Sequence, residues 1–400
     1  MLSQNFRTAS EKAFKDISRY CTMRDLSHLT DNPELAHDVA LRALWILDHT
    51  PVVGRVGERI VRNMCHNPAL EEALWDTRFQ LGDLDISYPV GVAAGMFKDV
   101  RTMPWWLFQE GGLQVWFVTL GGITQTSQPW NPKPRNFSFP EVGAGINRYW
   151  LNNIGLFETK EALRKARKKW LIPKHLPVLI NLCNGHDITD SYRAAEFETQ
   201  AISLCDVVDG FEVNISCPNQ IGAQDLAKKM DILRDSLRRV HAVANGKPIF
   251  LKISPDTDRE ALVQIIEASR EYVTGYSSTN TTVDPDIRSR ILHANGKWHL
   301  LGTTPDKDTN HGDFTLLNGG ISGAPLLPKQ LAMTRLIREL APDKYIIGIG
   351  GIIDEESASK TITAWANSVA MLTAFAQRGH GVIALANLWV MEALKSKEKK

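Results

Sequence analysis

A TIM (β/α)8 barrel preceded by an N-terminal helical extension is the fold this 400-residue sequence predicts. Three observations point to it. From Pro89 onward, eight short apolar or β-branched runs alternate with longer stretches of helical period. Most of the runs are almost continuously apolar, as parallel strands covered on both faces must be. Polar residues gather where the runs end, which is where barrels of this kind keep their chemistry. Counting strands does not show that a sheet closes, so a doubly wound open sheet is the competing topology.

Taken in order, the runs are residues 89–95 (PVGVAAG), 115–121 (VWFVTLG), 177–183 (PVLINLC), 210–216 (GFEVNIS), 248–254 (PIFLKIS), 274–282 (TGYSSTNTT), 344–351 (KYIIGIGG) and 368–375 (SVAMLTAF). The sixth is polar and is assigned mainly from its place in the alternation. Helical stretches such as 223–244 and 258–272 supply the crossovers that parallel strands need. Residues 284–318 form a polar stretch long for a barrel loop, expected to cover the mouth of the site or to carry its own hairpin.

The chain divides at about residue 80, with a helical extension over 1–80 and the barrel over 81–400. Residues 32–50 (NPELAHDVALRALWILDHT) carry apolar side chains at Leu35, Ala36, Val39, Ala40, Ala43, Leu44 and Leu47, an amphipathic stripe. A second helical piece, 56–64, follows a Pro/Gly turn. Two readings are open: this pair packs on the barrel, or it lies on a membrane surface.

Composition excludes other classes. With 46 basic and 45 acidic side chains the net charge is +1, which gives no general electrostatic grip on nucleic acid. A hydrophobic fraction of 43% is too high for a disordered chain. No apolar run approaches the ~18 residues of a membrane-spanning helix. The five cysteines are an odd set with no C-x-x-C pair, so neither a disulfide framework nor a zinc site is indicated, no metal is expected, and a reducing compartment fits. Residues 1–20 mix basic and acidic side chains and lead into no apolar core, unlike a secretory signal; a mitochondrial transit peptide is the alternative.

The strand ends are consistent in chemistry. The first run leads through Ala93, Ala94 and Gly95 to Lys98; the third carries Asn181; the fourth ends at Asn214, Cys217 and Asn219; the fifth carries Lys252; the sixth ends Thr279-Asn280-Thr281-Thr282. Asparagines and lysines there need partners if buried, and read as hydrogen-bonders for a ligand. Gly319-Gly320 and Gly323, then Gly348, Gly350 and Gly351, followed by Thr373 in the eighth run, match the backbone cradle for a phosphate that barrels build after their last two strands. A lone glycine pair is more often a turn; several in this order carry the inference.

Together the motifs GVAAGMFK, NPKPR, INRYWLNNIG, NISCPN, LKISPD, STNTT, GGISGAPL and IIGIGGI, in this order over residues 33–390, resemble those of the dihydroorotate dehydrogenases, FMN enzymes of de novo pyrimidine (UMP) synthesis. Position by position, the resemblance implies that Ala94, Gly95, Asn181, Lys252, Thr279, Gly323, Gly350 and Thr373 hold FMN. It implies that Lys98, Asn147, Asn214, Asn219, Asn280 and Thr281 hold dihydroorotate. It assigns the catalytic base to Cys217, which would take a proton from the ring carbon while the neighbouring carbon gives a hydride to the flavin. A thiol with an ordinary pKa of about 8.5 suits that role near neutrality. Asparagines read amide edges with donor and acceptor, and Lys98 can neutralise the substrate carboxylate.

The N-terminal helices, with the sequence PELAH, resemble the quinone-reducing, membrane-associated class. That implies a quinone as acceptor and peripheral membrane contact on the cytoplasmic side, or at the mitochondrial inner membrane in a eukaryote. A cysteine base is instead typical of the soluble class, for which fumarate is the alternative acceptor. Other departures are Ser138 for an arginine, Leu372 for a tyrosine, Gln220 for a threonine and Met96-Phe97 for Phe-Asp. Trp150-Leu151 replaces Gly-Phe, and Leu182-Cys183-Asn184-Gly185-His186 replaces a glycine and lysines. These departures make an altered substrate, or a barrel that binds ligand without turnover, the alternatives; every ring-binding asparagine remains in place, so dihydroorotate oxidation with electrons passed to a quinone is the leading expectation. An FMN reductase acting on RNA uridines is opposed by the balanced charge.

Overall fold

The computed structural model describes residues 79–81, 84–86, 88–108, 113–131, 135–149, 151–186, 188–216, 229–295, 319–379 and 381–398. The expected helices at 32–50 and 56–64, the base Cys217 and the substrate ligand Asn219 lie outside them, as do Trp150 and Gln220.

Two strands, β1 (Phe79–Leu81) and β2 (Leu84–Ile86), form an antiparallel pair ahead of the barrel. Then follow β3 (Val90–Val92), β4 (Val118–Ile123), β5 (Asn136–Phe139), β6 (Ala144–Asn147), β7 (Val178–Leu182), β8 (Gly210–Asn214), β9 (Ile249–Ile253), β10 (Gly275–Ser278), β11 (Gly320–Gly323), β12 (Tyr345–Ile349) and β13 (Ser368–Met371). Eight of these close into a parallel barrel in the order β3-β4-β7-β8-β9-β10-β12-β13, so the sheet is closed and not doubly wound. All eight expected runs contribute; seven are trimmed at one or both ends, and the second starts later, at Val118, and runs on to Ile123.

Helices cover the outside: α1 (Leu156–Lys168), α2 (Asp190–Leu204), α3 (Met230–Val243), α4 (Arg259–Ser269), α5 (Pro285–Ala294), α6 (Leu327–Leu340), α7 (Glu355–Thr363), α8 (Thr373–Arg378) and α9 (Gly381–Glu398). Alternation along each strand sorts the core into two parts. Val178, Ile180, Leu182, Phe211, Val213, Ile249 and Leu251 join the large cluster between sheet and helices. Leu179, Phe250, Tyr345, Ile347 and Ala370 form a second cluster with Trp116 and Phe117, against which Leu81 and Tyr88 pack. The second cluster fills the barrel where its strands begin.

The polar sixth run is a strand because both of its faces find partners. Ser277 Oγ donates to Glu212 Oε2 at 2.6 Å on the inner face, and Ser278 Oγ pairs with Thr334 Oγ1 of α6 at 2.7 Å on the outer one. Unmet, either buried hydroxyl would cost about 1–3 kcal/mol.

Three strands stand outside the barrel: β11 pairs antiparallel with β6, and β6 with β5. An isolated bridge from Thr282 to Ile321 ties this sheet to the segment after β10. The polar stretch that starts at Asp284 opens with α5, whose Ile287, Ile291 and Leu292 pack against Phe139, Ala144, Ile146 and Ile321. Asp284 caps it by accepting from the N–H groups of Asp286 and Ile287, with Pro285 in the first turn. Residues 296–318 lie outside the described set. One expectation is corrected: the eighth strand ends at Met371, and Thr373 opens α8 rather than extending the strand. No helix among the described residues is long and apolar enough to cross a membrane.

Candidate active site

Along the barrel the inward positions change character. On β7 to β10 they pass from Leu179, Gly210, Phe250 and Gly275 to Asn181, Glu212, Asn214, Lys252 and Ser277, all buried. On the opposite half they stay small or apolar, with Gly91, Ala93, Ile347, Ile349 and Ala370. The cavity at the carboxyl ends of the strands therefore has one polar wall and one apolar wall. Its space free of protein atoms, open mouth included, is about 1450 Å³.

Every candidate site residue within the described set lines this cavity: Ala94, Gly95, Lys98, Asn147, Asn181, Asn214, Lys252, Thr279, Asn280, Thr281, Gly323, Gly350 and Thr373. Sequence separation of nearly 280 positions, from Ala94 to Thr373, is closed by the barrel alone.

The polar wall is one connected network. Glu212 Oε1 accepts from Asn181 Nδ2 at 2.5 Å and from Lys252 Nζ at 3.2 Å. Asn181 Oδ1 accepts from Asn214 Nδ2 at 3.2 Å and from Cys183 Sγ at 3.3 Å. Asn214 Oδ1 accepts from Asn280 Nδ2 at 3.3 Å and from the N–H of Ser216 at 3.1 Å. Strand register explains the adjacency: Asn181 is opposite Glu212, Asn214 opposite Lys252, and Lys252 opposite Ser277.

At the mouth, Lys98 Nζ donates to Asn152 Oδ1 at 3.1 Å and stands 5.7 Å from the centre of the Tyr149 ring. The NPKPR and INRY motifs brace each other there. Arg135 lies 4.3 Å from the Trp130 ring centre and 5.5 Å from that of Tyr149. Asn131 Nδ2 donates to the carbonyl of Arg148 at 2.7 Å, and the Arg148 N–H donates to the carbonyl of Arg135 at 2.8 Å. Asn147, on β6, donates weakly to the Gly320 carbonyl at 3.4 Å.

Across the cavity the glycine-rich turns meet α8. Thr373 Oγ1 pairs with Ser322 Oγ at 2.9 Å, and Thr279 Oγ1 donates to the Ile349 carbonyl at 3.2 Å. Gly350 holds φ +110°, and a Cβ there would come within 2.7 Å of Leu326 Cδ2, so backbone shape and space both require glycine. Gln377 of α8 donates to Ser138 Oγ at 3.1 Å and to the Ala144 carbonyl at 2.9 Å. Ser138, where the quinone class commonly has an arginine, is thus tied to α8.

Glu212 and Ser277 were not among the candidates read from sequence. The available signal was a carboxylate two places before Asn214 in an otherwise apolar strand. By the period of two it must share Asn214's inward face. Among the described residues no group of His, Cys, Asp and Glu could hold a metal ion.

Comparison with known proteins agrees with this geometry. The family model described as dihydroorotate dehydrogenase matches residues 78–386. A protein of Crocosphaera subtropica named dihydroorotate dehydrogenase (quinone) is 30% identical, covering 92% of this chain and 92% of its own. One of a Synechococcus strain with the same name is 31% identical over 89% of this chain and 88% of its own. In fold, the chain is similar to the crystal structure of the Eimeria tenella DHODH in complex with ferulenol, with a TM-score of 0.72, 23% identity and coverage of 92% and 93%. With the barrel closed, the site motifs gathered in one cavity and the family match spanning most of its length, the chain belongs to the dihydroorotate dehydrogenase family.

Proposed function

We propose that this protein oxidises dihydroorotate to orotate with FMN in the barrel mouth and passes the electrons to a quinone. The observation that carries the reading is the meeting, in one cavity, of a lysine-bearing amide wall, an apolar wall and a glycine-rich rim. That donor set suits FMN: amides and an ammonium on one side for a heteroaromatic ring, apolar contacts on the other, and backbone N–H groups beside Gly323 and Gly350 for a phosphate.

Bound there, FMN supplies the acceptor for a hydride. The chain's own residues do the rest. Ala94, Gly95, Asn181, Lys252, Thr279, Gly323, Gly350 and Thr373 would hold the cofactor, with Lys252 offsetting the negative charge of its reduced form. Lys98 would neutralise the substrate carboxylate, and Asn147, Asn214, Asn219, Asn280 and Thr281 would read its amide edges. Cys217, three residues beyond Asn214, would remove the proton from one ring carbon as its neighbour gives up the hydride, leaving the ring double bond. A peripheral membrane contact through residues 1–80 belongs to the same proposal, since a quinone acceptor is dissolved in lipid.

The test is an anaerobic mix of the purified protein with dihydroorotate, followed by a quinone analogue or fumarate. Loss of the oxidised-flavin absorbance, then recovery with the quinone, is the expected result. Recovery with fumarate alone would replace the acceptor, and an unbleached flavin would overturn the substrate.

A further inference from the structure

Glu212 is 2% exposed and Lys252 4% exposed. A buried ion pair of this kind seldom improves stability over a well-packed apolar pair, because taking both charges out of water costs about what their attraction returns. The layer beneath, with Leu179 and Phe250, shows that apolar side chains fill this barrel. The pair therefore calls for a functional account.

Three donors converge on the Glu212 carboxylate: the Asn181 amide at 2.5 Å and the Lys252 ammonium at 3.2 Å on Oε1, and the Ser277 hydroxyl at 2.6 Å on Oε2. An ionised carboxylate only accepts, so Asn181 must turn its nitrogen toward it. Its oxygen then faces Asn214 Nδ2, and the Asn214 oxygen in turn faces Asn280 Nδ2. The carboxylate thus fixes the direction of the Asn181 amide, and that direction matches the one backbone groups give the next two: the Ser216 N–H donates to Asn214 Oδ1, and Asn280 Nδ2 donates to the Ser216 carbonyl while its Oδ1 accepts from the Thr281 N–H. The same carboxylate cancels part of the positive charge that Lys252 brings to the cavity.

We propose that Glu212 is a positioning residue: it orients Lys252 and the Asn181 amide, from which Asn214 takes its acceptor, and it holds the reduction potential of the bound flavin below the value Lys252 alone would set. The inference rests on the reading that FMN occupies this cavity.

Two effects separate in two variants. Glu212→Gln keeps the shape and an acceptor for Asn181 but removes the charge, so the flavin midpoint potential, measured by equilibrium reduction against a dye, moves to more positive values while orotate still binds. Glu212→Leu removes the acceptor too, so orotate affinity, read from perturbation of the flavin spectrum, falls by about tenfold or more, the worth of one hydrogen bond left unmade. Ser277→Ala leaves the charge with one donor fewer, puts more of it on Lys252, and moves the potential the other way; it decides the matter if Glu212→Gln does not fold. Potentials equal to wild type in Glu212→Gln and Ser277→Ala, or wild-type orotate binding in Glu212→Leu, would overturn the proposal. Failure of dihydroorotate to bleach the wild-type flavin would instead overturn the substrate assignment, and the potentials would still report on Glu212.

Discussion

Thr282 Oγ1 donates a 2.6 Å hydrogen bond to Asp256 Oδ1, joining the segment after β10 to the segment after β9. Lys329 of α6 completes the junction, with Nζ 2.7 Å from Asp256 Oδ1 and 2.9 Å from Asp284 Oδ2. The loop that carries Asn280 and Thr281 is therefore followed at once by a latch joining three segments, and α5 is capped by one of its members.

The latch has a defined pH window. The Lys329 hydrogen bond holds the Asp284 carboxyl below the usual carboxylate range, helped by the N–H groups of Ile287 and Asp286 and opposed by burial. A depressed pKa in the folded state means that the contribution is complete above the unfolded value of about 3.9 and is lost as pH falls through the lower folded value. Asp284→Asn keeps an equally good helix cap but loses the charge, so at pH 7 it should be less stable by roughly 0.2–1 kcal/mol. At a pH below that lowered folded value the wild-type carboxyl is protonated and the two melting curves should converge. A gap of the same size at both pH values would mean that the ion pair contributes nothing.

Tyr276 sets the opposite limit. Its ring is fully buried on the outer face of β10, its hydroxyl 2.9 Å from Ser269 Oγ, and burial pushes its pKa up to about 12. A raised pKa gives stability that is complete below the unfolded value of about 10 and lost as pH rises through the folded value. Tyr276→Phe should lose about 1 kcal/mol at pH 8 through the missing hydrogen bond, and should then fall less than wild type between pH 10 and 12. Urea midpoints at pH 8 and pH 11 check this; parallel losses in the two proteins would sink it.

Why the barrel was readable and parts of the site were not follows from which interactions are local. Strands such as β7 (VLINL) and β12 (YIIGI) are buried on both faces and announce themselves as apolar runs. β10 does not, because Ser277 and Ser278 depend on partners at Glu212 and Thr334, 65 and 56 positions away. The β5–β6–β11 sheet has no local signature for a related reason: its pairing joins positions 144–147 to 320–323. Thr373 looked like strand because SVAML runs straight into it; the chain leaves the sheet at Leu372, with ψ −63°, and begins α8. Glu212 is legible by parity alone, since one carboxylate in an apolar strand carries no motif.

Lys98 offers a sharper test of substrate recognition. Asn152 Oδ1 holds its ammonium at 3.1 Å, and the Tyr149 ring centre lies 5.7 Å away. Lys98→Met should raise the dihydroorotate KM by roughly 10- to 150-fold, the range of about 1.5–3 kcal/mol expected for a hydrogen bond to a charged group. Asn152→Ala leaves the charge but frees its position, so the rise should be smaller and FMN content unchanged. Steady-state kinetics on both variants, normalised to bound flavin, give the comparison; equal effects would mean that the charge itself does not meet the substrate.

Gly348 and Gly350, two places apart around the end of β12, should separate fold from cofactor. A Cβ at Gly348 would come within 2.3 Å of Thr361 Cγ2, on the outer face beneath α7 and away from the residues that line the cavity. Gly348→Ala should therefore lower the melting temperature, by an overpacking cost of about 1–3 kcal/mol, without weakening FMN binding in the protein that remains folded. Gly350 lines the cavity at φ +110°. An alanine there must abandon that conformation or push Leu326, and either movement displaces the backbone that faces the ligand. Gly350→Ala should also lower the melting temperature, but on gel filtration it should lose far more flavin than Gly348→Ala at a matched loss of apoprotein stability. If both variants shed FMN in proportion to lost stability, the glycine-rich turn after β12 serves packing alone, and the phosphate must be held elsewhere on the rim.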